Sequence, residues 1–347
     1  MRISILIPCH NEERSIERCV KSCLEQTRKP DEIIVVNDGS TDKTAQILAG
    51  FGDQIKVANI EKATGNKSYA QEFGLQFITG DIFIATDGDT FLDKDFVKTI
   101  EEDFLAEPKL AAVGGYVRSL KYNWLTACRE MDYILGQDLY KVAQASIDFL
   151  FVIPGCAGAF KTDIFRQYIK FDHDTLTEDL DFTYKLHLNY FKIKYNKKAI
   201  CYTQDPFTLG AYINQMRRWF GGGWQNLIKN FRIANRPANA LELSLMYIEG
   251  LIFSSCLFIF PLVNILFFER FMSAYCVFVL MLGLYCSIKR KRIDLLLFSP
   301  LYLVLVFINS WVFLEQFVKE VVLGRKNLDW FKPERFKNEE MNLAQKI

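Results

Sequence analysis

No Cys-x-x-Cys pair occurs among the nine cysteines, and the chain has only three histidines in 347 residues. A metal or redox pair of that spacing is therefore absent. Cys19 and Cys23 stand four apart on an expected helix and read as apolar packing. An excess of one charge sign is missing too. There are 42 Lys+Arg against 41 Asp+Glu, a net charge of +1, which argues against a global nucleic-acid binder and leaves room only for a local basic patch. Internal repeats and low-complexity tracts are lacking. With half of its residues hydrophobic and 14% aromatic, the chain is not of disordered composition. A signal peptide is not expected either, because Met1 runs straight into Arg2-Ile3-Ser4-Ile5-Leu6-Ile7-Pro8 and a polar, acidic segment follows. The head is thus expected to stay on the cytoplasmic side.

Charge is also missing from three stretches: 250–268, 271–288 and 295–314, of 19, 18 and 20 residues. Helices of those lengths rise about 27–30 Å, the thickness of a bilayer's hydrocarbon core. An integral membrane protein with a soluble head follows. Lys289-Arg290-Lys291-Arg292 marks a cytoplasmic loop between the second and third stretches. A third full span would put the tail outside, yet residues 319–347 carry seven basic and five acidic residues and suit the inside better. A re-entrant stretch is the alternative, with Pro261 and Pro300 as candidate break points. The sidedness of the tail stays open. The expected divisions are 1–204, a soluble domain; 205–242, an interfacial segment; 243–318, the membrane region; and 319–347, a polar tail.

Within the head, strand and helix patterns alternate. Ile3–Ile7, Ile33–Val36, Ile55–Ile60 and Ile82–Ala85 read as strands. Ser15–Gln26, Thr41–Ala49 (capped by Ser40 or Thr41) and Lys67–Ile78 read as helices. Such βαβα alternation with continuously apolar strands predicts an α/β fold with a mostly parallel sheet. Ligands of such sheets bind at the carboxyl ends of the strands. Those ends carry Pro8-Cys9-His10-Asn11-Glu12-Glu13, Asn37-Asp38-Gly39-Ser40-Thr41-Asp42 and Thr86-Asp87-Gly88-Asp89. Carboxylates crowded into one cleft repel unless cations or donors lie between them. A hard divalent ion with phosphate oxygens suits Asp87 and Asp89, although Asp-Gly-Asp is also an ordinary turn.

Further on, Thr177-Glu178-Asp179 opens an amphipathic helix; capping and helix-dipole effects explain it as well as a general base does. Gln215-Met216-Arg217-Arg218-Trp219 offers a phosphate clamp and an aromatic platform, and a basic amphipathic helix at a membrane surface offers the same residues. Residues 205–239 set Arg217, Arg218, Lys229, Arg232 and Arg236 against Asp205 alone, interleaved with aromatics, which fits an interfacial helix rather than single-stranded nucleic-acid binding. Gly221-Gly222-Gly223 is expected to end or hinge that helix. His173 reads as a solvated loop histidine rather than a metal ligand, and His10 as a strand-end residue placed to touch a bound base or phosphate.

In this order, Pro8…Asn11-Glu12, Val36–Asp42, Asp87-Gly88-Asp89, Thr177-Glu178-Asp179 and Gln215…Arg218-Trp219 resemble a family 2 glycosyltransferase of the GT-A fold. The resemblance covers roughly residues 1–240. More narrowly, the chain resembles the membrane-embedded inverting branch that includes hyaluronan, chitin, cellulose and poly-N-acetylglucosamine synthases and ceramide glucosyltransferase. It implies a Rossmann-like domain over 1–204 and assigns roles. Asp38 would recognise the uracil of a UDP-sugar donor, with Pro8 and Glu12 against the nucleoside. Lys67 would lie near the donor phosphates; the family usually has Gly before this lysine and Asn five positions after it, and here those are Asn66 and Glu72. Asp89 and Asp87 would hold Mg²⁺ or Mn²⁺, Asp89 more directly. Gly158, in Gly155–Phe160, belongs to a small-residue strand flooring the acceptor site. Asp179, beside Glu178, would be the catalytic base, and Gln215, Arg218 and Trp219 would hold the diphosphate and the acceptor end. Trp330 and Arg335 resemble a Trp…Arg pattern after the last helix of related enzymes.

The reaction so implied is transfer of a sugar from a nucleotide-sugar to a growing polysaccharide, forming a β-linkage. Transfer of one sugar to a lipid acceptor is the alternative; a non-catalytic nucleotide-binding membrane protein is more remote. No nucleic-acid partner is expected. With few spans, a polymer channel would be small or would need a homo-oligomer.

Overall fold

The structure is a computed structural model and describes residues 1–328 and Phe336. Eight strands, β1 (Ile3–Cys9), β2 (Glu32–Asp38), β3 (Lys56–Ile60), β4 (Ile82–Ala85), β5 (Phe91–Leu92), β6 (Leu110–Ser119), β7 (Gly158–Lys161) and β8 (Lys192–Thr203), form one sheet in the order β3-β2-β1-β4-β7-β6-β8-β5. The parallel part is β3-β2-β1-β4, joined by the helices Ile16–Leu24, Thr44–Ala49 and Lys67–Leu75. Every residue of β1 and β4 is buried, as covering on both faces requires. The other half of the sheet is mixed in: β7 runs antiparallel to β4 and β6, and β5 antiparallel to β8. On one face, Leu6, Ile34, Val36 and Phe83 pack with an aromatic cluster of Phe160, Phe165, Phe171 and Phe182.

The chain divides into two compact units. One holds Met1–Arg118, Tyr140–Gln204 and Phe336, whose N–H donates to Gln204 Oε1 at 3.2 Å. The other holds Ser119–Leu139 and 205–328, so the helix Trp124–Leu135 groups with the C-terminal part. That second unit contains three helices long and apolar enough to cross a membrane: Pro237–Val263, Ile265–Arg290 and Ile293–Val322, of 27, 26 and 30 residues. The first stops two residues after Pro261, and Asn264 then caps the next by accepting from the Phe267 N–H at 3.0 Å. At Pro300 a short 3-10 turn, Ser299–Leu301, interrupts the third without ending it.

Several local expectations are corrected. The second helix starts at Thr44, not Thr41, because Ser40 and Thr41 are engaged by Asn11: the Asn11 N–H donates to Ser40 Oγ at 3.0 Å, and Asn11 Oδ1 accepts from the Thr41 N–H at 2.7 Å. Gly221–Gly223 neither ends nor hinges its helix, which runs unbroken over Leu209–Lys229. Gly223 instead lets another helix come close. The Tyr247 hydroxyl donates to Gly223 O at 2.9 Å, and a Cβ on Gly223 would lie 3.2 Å from it. The aromatics of this helix meet protein: Phe220 packs on Phe313, and Trp224 on Phe313, Phe317 and Tyr247. Trp330 and Arg335 lie outside the described residues.

The helix Lys67–Leu75 is seated on the sheet through Gly74, where a Cβ would stand 2.4 Å from Leu6 Cδ1 and 2.6 Å from Val36 Cγ2. Gly74→Val should cost about 1–3 kcal/mol by overpacking, read as a lowered thermal midpoint of the protein in detergent. An unchanged midpoint would show that the helix is not seated this closely.

Candidate functional site

Parallel neighbours end on the same edge of a sheet, so β2, β1 and β4 deliver their carboxyl-terminal loops side by side. The loop after β1 turns at Asn11, whose φ of 52° is tolerated by asparagine better than by most residues. Asn11 then clips the loop after β2, as described above. His10 Nδ1 lies 2.6 Å from the Asp38 carbonyl. The Glu12 N–H donates to Thr44 Oγ1 at 2.8 Å, and Glu12 Oε2 accepts from the Ser15 hydroxyl at 2.7 Å. Pro8 sits within β1, opposite Val36. Gly88 ties in the third loop, since its Cβ position is 3.1 Å from Glu12 Cγ and 3.2 Å from Cys9 Cβ.

Asp38 is buried, and both its carboxylate oxygens accept from Thr64, from the N–H at 2.9 Å and the hydroxyl at 2.7 Å. Gly39 makes the turn with a φ of +58°, and a Cβ there would strike Ala63 N at 2.3 Å. Asp38 therefore fixes the loop that leads through Asn66 into Lys67. Sequence reasoning missed Thr64. No periodicity marks it, although a Thr-Gly-Asn run before a helix is a loop signal.

Lys67 begins its helix with Asn66 as cap, whose side chain accepts from the Ser68 N–H at 3.0 Å. The ammonium sits between two acids, 2.5 Å from Asp87 Oδ1 and 2.9 Å from Glu178 Oε1. Burial opposes its charge, but Asp87 and Glu178 over-compensate and hold it protonated well above the usual lysine range. A strand-end loop and a helix start, distant in sequence, thus meet on one cation.

Asp179 is next to this pair. Its Oδ2 accepts from the Gly155 N–H at 3.3 Å and its Oδ1 from the Leu180 N–H at 2.9 Å. The Cβ position of Gly155 is 3.2 Å from Lys67 Nζ and 3.5 Å from Asp179 Oδ2, which places the two side chains around one glycine. The loop is pinned to the helix Glu178–Leu188 by Thr183, whose hydroxyl accepts from the Ile153 N–H at 2.9 Å and donates to the Asp179 carbonyl at 2.7 Å. Thr177 occupies the cap position, but its side chain makes no cap bond. Gly158 opens β7, paired with Ala85 of β4.

His173 is not a solvated loop residue. It bonds Ser68 Oγ at 2.8 Å and Glu72 Oε2 at 2.9 Å, and stacks on Tyr69 with ring centroids 3.5 Å apart. It ties the Lys67 helix to the segment entering Glu178.

Asp89 is partly buried, and its Oδ1 accepts from the Thr90 hydroxyl at 3.1 Å. Among the described residues no group of three or more His, Cys, Asp and Glu is arranged to hold a metal ion. Two hard carboxylates on one short loop still fit a magnesium-type ion, which usually takes one or two carboxylates and completes its shell with substrate phosphates and water.

Gln215, Arg218 and Trp219 belong to the second unit. They lie on the helix Leu209–Lys229, capped by Thr208, which accepts from the Ala211 N–H at 3.4 Å. Gln215 Oε1 is buried with no hydrogen-bond partner among the described residues, and Arg217 pairs with Glu315 at 3.0 Å.

The sequence profile of glycosyl transferase family 2 matches residues 4–168. Poly-beta-1,6-N-acetyl-D-glucosamine synthase of Staphylococcus epidermidis (strain ATCC 35984) is 32% identical over 232 residues, 66% of this chain and 56% of that protein. The synthase of the same name from Staphylococcus aureus (strain COL) is 30% identical over 231 residues, with the same shares. The chain thus spans 56% of the length of these curated relatives. In fold, the mannosyltransferase PcManGT from Pyrobaculum calidifontis, solved with GDP-Man and Mn²⁺, superposes with a TM-score of 0.65 at 19% identity, over 86% of each chain. Residues 1–349 of TarS from S. aureus, solved with UDP-GlcNAc, give 0.52 at 18%, over 93% of this chain and 92% of that one.

Lys141 is a residue near this site that no motif announced. Burial pushes its ammonium down to about 8, against the opposing pull of Cys156, Asp179 and Cys201. Below pH 8 the folded state carries this charge at a cost; between about 8 and the ordinary lysine range of about 10.4 the unfolded chain holds the extra proton, so stability from this group rises with pH there. Lys141→Met should therefore stabilise the protein at pH 7, with the gain shrinking as pH rises through that window, measured by denaturant unfolding across pH. A pH-independent difference would refute the buried charge.

Proposed function

We propose that this chain, whose residues 4–168 belong to glycosyl transferase family 2, transfers a sugar from a UDP-sugar to a growing polysaccharide with inversion at the anomeric carbon. The observation that carries the reading is Lys67, gathering Asp87 and Glu178 onto one ammonium with Asp179 beside it at the carboxyl edge of the sheet. The names of the curated relatives make N-acetylglucosamine the first sugar to test.

In this reading Pro8, Glu12 and Asp38 receive the nucleoside, Asp38 through a carboxylate already oriented by Thr64. Lys67 offers positive charge to the diphosphate. A divalent cation held by Asp89 and Asp87 would neutralise charge on the leaving diphosphate when bound. Asp179 takes the proton from the acceptor hydroxyl as that oxygen bonds to the anomeric carbon. The bond from that carbon to the diphosphate oxygen breaks, and its electron pair leaves with UDP. A single displacement turns an α-linked donor into a β-linked product. Glu178 keeps Lys67 oriented, and Gly158 belongs to the strand under the acceptor. Gln215, Arg218 and Trp219 hold the diphosphate and the acceptor end, Arg218 as a phosphate clamp and Trp219 as a sugar platform. The three apolar helices hold the protein in a membrane with the sheet domain on the cytoplasmic side, where nucleotide sugars are supplied.

The test is UDP release by membranes containing the full chain, over a panel of nucleotide sugars. Release with UDP-GlcNAc should stop with EDTA and return with Mg²⁺ or Mn²⁺. Asp179→Asn and Asp89→Ala should each lower transfer by at least about 10²–10⁴-fold without shifting the melting midpoint. Full activity of Asp179→Asn removes the base assignment. A ladder of product lengths supports polymer synthesis, whereas one lipid-linked sugar replaces it with single transfer.

A further inference from the structure

A buried charge in the second unit plays no part in the chemistry above. Arg129, on the helix Trp124–Leu135, is 3% exposed. Its Nη1 pairs with Asp132 at 2.7 Å and its Nε with Asp205 at 3.4 Å. Both acids are themselves held: the Tyr133 hydroxyl donates to Asp205 Oδ1 at 3.1 Å, and the Tyr302 hydroxyl to Asp132 Oδ1. Around the guanidinium stand three aromatic rings, with its central carbon 4.9 Å from the Trp219 centroid, 5.0 Å from Tyr133 and 5.7 Å from Tyr212. Tyr212 is anchored in turn by its hydroxyl, which donates to Asn309 Oδ1 at 2.8 Å.

Stability alone does not call for this arrangement. A well-packed apolar side chain of similar volume usually serves as well as a buried ion pair or better. The arrangement does supply orientation. A guanidinium is a planar fork; two acids fix its plane, and a fixed plane sets how a ring can lie against it. Tyr212 and Trp219 are seven residues apart on one helix, two turns, and so share a face. Arg129 lies against both. Trp219 is thereby held by a charge network that reaches into two other helices, although nothing in the Gln-x-x-Arg-Trp motif itself requires one.

We propose that Arg129 is a positioning residue for Trp219: fixed by Asp132 and Asp205, it holds the indole in the orientation in which it meets the acceptor end. This rests on the glycosyltransferase reading for its consequence, but not for its geometry, and the experiment separates the two. The first arm is spectroscopic and needs no activity. The emission of Trp219, taken as the difference between the protein and its Trp219→Phe variant, should shift in Arg129→Met and become more open to acrylamide quenching. Arg129→Lys, which keeps the charge without the fork, should fall between. Unchanged Trp219 emission and quenching in both variants overturns the proposal.

The second arm is kinetic. Arg129→Met should raise the acceptor KM by about 10–100-fold while the donor KM moves less than about twofold. In the Trp219→Phe background the same substitution should add little, since its target is gone. Equal loss in kcat and in both KM values, or full additivity with Trp219→Phe, makes Arg129 merely structural and overturns the proposal. If Arg129→Met does not fold, Arg129→Lys carries both arms. If no nucleotide sugar is turned over at all, the activity reading fails, and the fluorescence arm still decides where Trp219 is held and by what.

Discussion

Compensation of buried charge is the constraint on which the rest of this structure depends. A sheet whose parallel strands end together brings their terminal acids together too, and carboxylates so crowded cannot all stay ionised without a cation. Lys67 answers this for Asp87 and Glu178. Its own position follows from two further features: the close seat of its helix at Gly74, and the preceding loop held to Asp38 by Thr64. His173 adds a third tie from Ser68 and Glu72 to the segment that enters Glu178. The loop held to Asp38, the lysine and the acidic helix start are therefore tied together.

The second unit meets the same constraint around a guanidinium instead of an ammonium. There the central buried group is a cation, Arg129, and acids and aromatic faces gather around it. A second buried pair, Arg290 with Glu130, repeats the pattern on the same helix, and Glu130 also accepts from the Ser119 N–H. In a unit built largely of apolar helices such pairs are the directional contacts. Dispersion packing between Phe220, Trp224, Phe313 and Phe317 supplies cohesion but little orientation.

Much of this was legible in the residue order. The apolar runs at Ile3, Ile33 and Ile82 became β1, β2 and β4, because a strand covered on both faces must be apolar throughout. The three charge-free stretches became long helices. What misled was local chemistry read without neighbours. Ser40 and Thr41 look like helix caps until Asn11 claims them. Three successive glycines look like a hinge until Tyr247 is seen bonded to the last of them, Gly223. His173 looks solvated until Tyr69 stacks against it. Each error came from a partner remote in sequence.

By itself, the sequence determined which strands are buried, where the strand-end acids fall and which helices are long enough to span a bilayer, because periodicity and length are properties of the chain read locally. Only the tertiary structure decided that Lys67 would sit between Asp87 and Glu178, that Thr64 would hold Asp38, and that Arg129 would lie on Trp219. Those pairings join residues from 20 to 111 positions apart, and the energy that selects them, the cost of burying a charge without a partner, exists only once the chain has closed around it.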